Sequence, residues 1–146
     1  MRRFPTGVAV VTVEVGGQRV GLTVGTLAAL SLEPPLVAFA VSRQAALHEL
    51  LRDAGAAAVS LLAAGQEHVA QHFARGVPPI AMWSGVDIEP GQGPPLLSGA
   101  VGWVRCTLES SQDVGTHSLF VARVDDAIPG SPLQPLLRLE GVYRSA

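Results

Sequence analysis

The residue best placed to take part in chemistry is a histidine at the start of a predicted strand. His117 follows the turn-forming segment Asp113-Val114-Gly115-Thr116 and opens a run of strand-forming residues. An imidazole at such a rim can orient a ligand or exchange a proton near neutral pH. A purely structural hydrogen bond explains the same placement, so His117 alone does not define a reaction.

A second pair of histidines has the spacing of a partial metal site. His68 and His72 lie four residues apart in a helical pattern, which places both imidazoles on one face. The zinc-protease pattern needs Glu directly after the first histidine, but Val69 is there. No further ligand is obviously placed to complete a site, so we expect a solvated helix face and no metal.

The remaining reactive residue types favour structural roles. Ser60 lacks the Gly-x-Ser-x-Gly context of a hydrolase nucleophile, and the alternation around Cys106 is typical of a core thiol on a strand. The chain has no Lys, which excludes Schiff-base chemistry. The glycine-rich dinucleotide and phosphate-loop signatures are also absent.

The elements that must position these residues are mainly strands. Two helical patterns cover Gln44 to Ala54 and Gly65 to Arg75, while Leu27 to Pro35 and the proline-rich Gly76 to Pro95 are predicted as connections. Strands are predicted at Gly7 to Val15, Gln18 to Thr26, Leu36 to Val41, Ala57 to Leu62, Ala100 to Glu109, His117 to Asp126 and near Leu136 to Tyr143. This order predicts a single domain over residues 1–146, an antiparallel barrel with helical excursions.

Composition limits the possible partners. Of 146 residues, 48% are apolar and only 15% are charged, against about 25% in an average globular domain. A net charge of −2 argues against nucleic acid, and Glu33-Pro34-Pro35 interrupts the best candidate membrane span. The lone Cys106 suits a reducing cytoplasm. A homodimer that hides apolar surface explains the shortage of charge.

Several segments, in this order, resemble the flavin reductase-like family of FMN-binding split barrels. The resemblance covers almost the whole chain. Its anchors are Phe4-Pro5-Thr6-Gly7-Val8-Ala9-Val10-Val11-Thr12, Gly21-Leu22-Thr23-Val24, Ser31-Leu32-Glu33-Pro34-Pro35-Leu36-Val37, Pro94-Pro95-Leu96-Leu97-Ser98-Gly99-Ala100 before Trp103 and Cys106, Gly115-Thr116-His117-Ser118-Leu119-Phe120-Val121, and Gly141-Val142-Tyr143.

The resemblance implies a homodimeric, six-stranded antiparallel Greek-key split β-barrel with short inserted helices. It implies hydride transfer from NADH or NADPH to FMN or FAD, with reduced flavin passed to a partner monooxygenase. Trp83 would cover the flavin ring, and His117 would lie near the nicotinamide. The other implied cofactor-binding residues are Thr23, Val24, Gly25, Thr26, Ser31, Ala40, Val41, Ser42, Arg43, Gln44, Ala45 and Leu47.

The chain departs from the family pattern in the loop expected at the flavin phosphate. Ala45 and Leu47 stand where relatives commonly carry Ser and Thr, and Thr116 replaces the usual acid before His117. With no Lys in the chain, the expected phosphate anchor is an arginine, either Arg43 in this loop or another one that reaches in, such as Arg75. A flavin- or small-ligand-binding protein without turnover is the alternative interpretation.

Overall fold

The structure, a computed structural model, describes residues 1–146 as a mainly β fold with three short helices. The strands are β1 (Thr6–Gly7), β2 (Ala9–Val15), β3 (Gln18–Val24), β4 (Ala28–Leu32), β5 (Pro35–Ser42), β6 (Ala56–Leu61), β7 (Gly102–Val114), β8 (His117–Pro129), β9 (Leu136–Leu139) and β10 (Val142–Ser145). The helices are α1 (Ala46–Ala54), α2 (Glu67–Ala74) and α3 (Pro79–Met82).

The main sheet is antiparallel throughout and has the order β3-β2-β6-β7-β8-β5-β4. Its first and last strands, β3 and β4, are joined by only three residues, so the two edges of the sheet must approach each other. The Thr26 side chain links this connection to β5: its hydroxyl accepts from Ala40 N at 2.9 Å and lies 3.2 Å from Ala40 O. A smaller sheet, β1-β9-β10, packs beside it.

The helices cover the apolar interior of the curved main sheet. α1 buries Leu47 and Leu51 and packs against β2, β3, β5 and β6, while α2 buries Ala70 and Phe73. α1 ends at Gly55, whose φ of 68° lets its N–H bond back to Leu51 O at 3.3 Å. These helices are short and amphipathic, so packing on the sheet stabilises them more than propensity does.

The structure corrects several of the expected elements. Residues 27–35 were predicted as a connection, yet they contain the edge strand β4. The last predicted strand is a hairpin, because the chain turns at Glu140-Gly141, where φ is 55° and 81°. The proline-rich loop contains α3, which starts at Pro79. The main sheet has seven strands rather than the six expected.

The predicted core position of Cys106 agrees with the structure. Its thiol is buried and lies 3.5 Å from Ala57 O. Burial raises the pKa of Cys106 to about 11, with a smaller contribution from the Asp125 carboxylate. None of the three helices is long and apolar enough to cross a bilayer.

The buried hydroxyl of Thr12 connects the sheet to the long loop before β7. It donates to Pro95 O at 2.7 Å, and Thr12 is fully buried. We expect Thr12→Val to lower the free energy of unfolding by about 1–3 kcal/mol, because the Pro95 carbonyl loses its partner in a buried setting. Urea unfolding measures this effect. The control Thr107→Val removes a hydroxyl whose hydrogen bond, to Asp125 Oδ2 at 2.6 Å, is exposed to solvent, and an equal loss there would contradict the explanation.

Candidate functional site

The pairing of β5 with β8 brings together two segments that the sequence separates by more than seventy residues. Ser42 lies opposite His117 in the antiparallel register, and Arg43 N donates to Thr116 O at 3.0 Å. The loop expected at the flavin phosphate, which contains Arg43, Ala45 and Leu47, therefore begins beside His117, the residue expected near the nicotinamide. We call this loop the phosphate loop. Ala40 and Val41 precede this point on β5, opposite Leu119 and Ser118.

His117 lies at the rim of a tight hairpin. β7 and β8 are joined by Gly115-Thr116, and Gly115 has a φ of 60°, a conformation that favours glycine. The Thr116 hydroxyl and His117 Nδ1 are 2.9 Å apart, and His117 is exposed. The imidazole therefore stands at the surface beside the loop, with its Nε2 available to a ligand.

The start of α1 offers backbone donors to an anion. Ala45 is the N-cap residue, and its side chain makes no capping hydrogen bond. The N–H groups of Ala46 and Leu47 have no backbone acceptor, as expected at a helix start. Such N–H groups and the helix dipole favour a phosphate. Arg43, three residues before the helix, adds a full positive charge to the same loop.

A cavity of about 310 Å³ adjoins this loop. One wall is formed by Gln44, Ala45 and Leu47, and the opposite wall includes Phe73 and Met82. The walls are largely apolar, which suits a flat aromatic ligand more than a sugar. The backbone donors, the arginine and the apolar cavity together fit a nucleotide-like cofactor that has both a phosphate and a ring.

Arg43 already has an anionic neighbour, the Asp113 carboxylate. Arg43 NH1 lies 3.5 Å from Asp113 Oδ2, and Arg52 NH2 donates to Asp113 Oδ1 at 3.2 Å. The Ser118 hydroxyl donates to the same Oδ1 at 2.9 Å. Foremost through this hydrogen bond, and with help from both arginines, the pKa of Asp113 is held below its usual value.

A buried chain of hydrogen bonds holds Ser118 in turn. His48 Nε2 lies 2.7 Å from Ser118 Oγ, and His48 Nδ1 lies 2.8 Å from Glu49 Oε1. The only hydroxyl proton of Ser118 is directed to Asp113 and the Glu49 carboxylate can only accept, so both ring nitrogens of His48 face acceptor atoms. Ser118 is fully buried and His48 is only 2% exposed, so this chain links the core to the exposed Asp113.

Other predicted binding residues are engaged within the fold. The Thr23 hydroxyl donates to Ala70 O at 2.6 Å, and Val24 is buried opposite Ala9. Gly25 is tight against the neighbouring strand, since a Cβ there would lie 3.1 Å from Thr6 Oγ1. Leu47 is 1% exposed and belongs to the core. Ser31 lies on β4 opposite Leu36, beside a register shift.

Trp83 lies apart from the group around Ser42, Arg43 and His117. Its indole N–H donates to Arg19 O at 2.8 Å, and its ring packs 5.3 Å from that of Phe73. The cavity that it lines faces the β2–β3 hairpin. A role over a flavin ring therefore stays a prediction.

The solvated face expected for both histidines of α2 is wrong for His72, which is partly buried and serves the fold, and holds for His68. His72 donates through Nε2 to Met82 O at 2.6 Å and packs edge-on against Phe73, while His68 is exposed. The hydrogen bond attaches the last residue of α3 to α2.

The sequence interpretation missed the role of four residues around Arg43. The sequence predicts Asp113 only as part of a turn, Ser118 only as part of the segment that follows it, and His48 and Arg52 only as residues of a helix. One signal was available: a two-residue hairpin turn at Gly115-Thr116 places Asp113 and Ser118 close together across the strands. Nothing in the sequence signals the contact between His48 and Ser118, which are 70 residues apart.

Comparison with known proteins identifies the class of fold and site. The family model described as the flavin reductase like domain matches residues 1–146. The chain therefore belongs to this family, and the resemblance seen in the sequence is confirmed.

Individual relatives are similar over nearly the whole chain. The reductase component of 4-hydroxyphenylacetate 3-monooxygenase from Thermus thermophilus is 40% identical over 144 residues, which cover 99% of this chain and 91% of that protein. The NADH:FMN oxidoreductase of Rhodococcus erythropolis is 34% identical, with 98% and 77% covered. The NADH:FAD oxidoreductase of Streptomyces globisporus, solved with NAD and FAD fragments, is 35% identical with a TM-score of 0.93, covering 99% and 87%.

The geometry at the start of α1 predicts opposite effects for two substitutions toward the family pattern. Ala45→Ser supplies the missing N-cap and should raise the free energy of unfolding by about 1 kcal/mol. Leu47→Thr buries a hydroxyl and removes core volume, so it should lower that free energy by about 2–4 kcal/mol. Urea unfolding of each single variant tests both values. A neutral Leu47→Thr would contradict the core position of Leu47.

Proposed function

We propose that this protein is an NAD(P)H:flavin oxidoreductase that passes a hydride from NADH or NADPH to FMN or FAD. The observation that carries the proposal is the alignment of the Arg43 loop and His117 at adjacent strand ends, beside a cavity with unpaired backbone donors. The relatives named above are reductases of this kind. Reduced flavin then serves a partner monooxygenase, as the name of the Thermus relative suggests.

The flavin supplies the chemistry when bound, since its N5 accepts the hydride from C4 of the nicotinamide. No side chain needs to act as an acid or base in that transfer. The chain's own residues bind the two nucleotides, align them and keep water from the reacting faces. His117, exposed beside the loop, is suited to orient the nicotinamide or the flavin.

Phosphate binding depends on few groups in this chain. The available donors are the N–H groups of Ala46 and Leu47, the guanidinium of Arg43, and the hydroxyl of Ser42, whose oxygen accepts from Gln44 N at 3.3 Å. Ala45 and Leu47 bring no hydroxyl, and the Thr23 and Thr26 hydroxyls have partners within the fold. The flavin ring is then recognised by the main chain of residues 23–26 and by Ser31, Ala40, Val41, Ser42 and Gln44, with Trp83 as a further candidate.

The apolar edge strand β4 favours a homodimer, in which a second copy of the chain completes the split barrel and the site. Leu30 and Leu32 on β4 are 54% and 94% exposed, and the outer edge of β4 has no neighbouring strand. An apolar, unpaired edge favours association. The proposed homodimer covers it. The unpaired thiol of Cys106 agrees with our expectation of a cytoplasmic location.

The proposed activity is tested by mixing the full chain with NADH or NADPH and with FMN, FAD or riboflavin, without oxygen. We expect oxidation of the reduced nicotinamide, followed by its absorbance, at a rate that rises with protein concentration. Flavin binding without any accelerated oxidation would favour the non-catalytic flavin-binding alternative. Loss of both binding and turnover would reject the function.

Arg43 provides a test of the phosphate anchor. Arg43→Gln should weaken FMN binding about tenfold, because a charge-assisted contact to phosphate is lost. Riboflavin, which lacks the phosphate, should bind as before. Quenching of flavin fluorescence measures both affinities, and Arg144→Gln is a control at an exposed arginine on β10. An equal loss for riboflavin would place Arg43 away from the phosphate.

His117 is tested through the nicotinamide. His117→Ala should lower kcat/KM for NADH about tenfold through poorer alignment, while the affinity for flavin changes little. Steady-state kinetics separate the two effects. Unchanged kinetics would assign His117 a structural role at the hairpin.

A further inference from the structure

The ion pair between Arg43 and Asp113 suggests how the affinity for phosphate is set in this chain. Asp113 is a negatively charged group next to the only positive charge of the phosphate loop, and its carboxylate lies 3.5 Å from Arg43. We propose that Asp113 is an internal competitor of the flavin phosphate for Arg43, so that it lowers the affinity for FMN. This inference rests on the proposed function.

Asp113 is held firmly enough that it cannot follow Arg43 to a ligand. Its Oδ1 accepts from the Ser118 hydroxyl at 2.9 Å, and Ser118 is fully buried. Ser118 is fixed by the buried His48 at 2.7 Å. The position of the carboxylate is therefore determined by the core, whereas Arg43 is a long side chain, 47% exposed, on a loop.

Asp113 also keeps most of its stabilising contacts when Arg43 moves to a ligand. Its contact with Arg43 is the longer of its two ion pairs, and Arg52 remains hydrogen-bonded at 3.2 Å together with Ser118. Arg43 therefore exchanges one exposed anion for another, the carboxylate for the phosphate. The difference between these two contacts, rather than the full strength of the arginine–phosphate contact, determines the gain on binding.

Arg52 has an indirect part in this exchange. It neutralises Asp113 and so weakens the hold of the carboxylate on Arg43. Arg52 lies in the last turn of α1, at the opposite end of the helix from the unpaired N–H groups of Ala46 and Leu47. Arg52 is thus a positioning residue that acts through Asp113 rather than on the phosphate.

Asp113→Asn provides the direct test, because the amide oxygen still accepts from Ser118 while the charge is lost. At low salt we expect the Kd for FMN to fall about two- to fivefold, in line with an exposed ion pair, and the gain to shrink as salt is added. Riboflavin affinity should not change. The matched control is Asp125→Asn, which removes the same charge from an ion pair of 3.5 Å with Arg123.

Arg52→Gln separates competition from direct binding. It should weaken FMN binding in the wild-type background, because Asp113, no longer neutralised by Arg52, then attracts Arg43 more strongly. In the Asp113→Asn background it should have no effect. A loss that persists in the double variant would place Arg52 on the phosphate and overturn the inference, as would weaker or unchanged FMN binding by Asp113→Asn.

Inorganic phosphate gives a readout that needs no flavin. Phosphate should raise the Tm of Asp113→Asn more than that of the wild type or of Asp125→Asn. If the wild type binds neither FMN nor riboflavin, the proposed function fails, and these melts alone decide whether Asp113 competes for Arg43. A parallel titration with NADPH and NADH shows whether Asp113→Asn tightens the binding of the 2′-phosphate of NADPH instead. A gain for NADPH without a gain for FMN would overturn the inference, because Asp113 would then compete with a different ligand.

Discussion

The register between β5 and β8 is the constraint on which the rest of the site depends. Phe39 and Phe120 lie opposite each other in this pair, both are fully buried, and their rings stack with centroids 5.9 Å apart. A slip of one residue would turn every side chain of the strand to the other face. Because the two rings prevent that slip, the core also fixes Ser42 opposite His117, three residues further along.

Most of the strands could be predicted because buried strands leave apolar runs in the sequence. β2, β5 and β6 all carry such runs, whereas β3 was predicted from its alternation and from the glycines at positions 16 and 17, which mark the first hairpin. β4 was missed because it is an exposed edge strand: its residues are Ala, Leu and Ser without alternation, and the prolines that follow suggested a loop. An edge strand such as β4 is defined by the neighbouring strand that pairs with it, and the sequence alone does not show this pairing.

Residues of the candidate site could be predicted only where they lie in a sequence motif. The resemblance assigned Arg43 to the flavin phosphate and His117 to the nicotinamide, and the strand register then brings the two residues close together. The chain from His48 through Ser118 to Asp113 had no such motif, since it joins a helix to the far strand of a hairpin. Buried polar groups must find partners, and no buried side-chain N or O atom in this structure lacks one. That rule requires a hydrogen-bond partner for the buried His48, but it does not identify Ser118 as that partner.

The distribution of donors accounts for the kind of flavin binding that suits a diffusible product. Among the hydroxyls nearest the site, those of Thr23 and Thr26 are engaged within the fold, Ser42 Oγ accepts from Gln44 N, and Ala45 and Leu47 add none. In the proposed site, affinity would then depend on backbone N–H groups, on the Ser42 hydroxyl and on one arginine that shares its charge with Asp113. Each of these contributions is modest and exposed to solvent, which favours rapid exchange of the ligand. A reductase that must release its product is served by such a site better than by a deeply anchored cofactor.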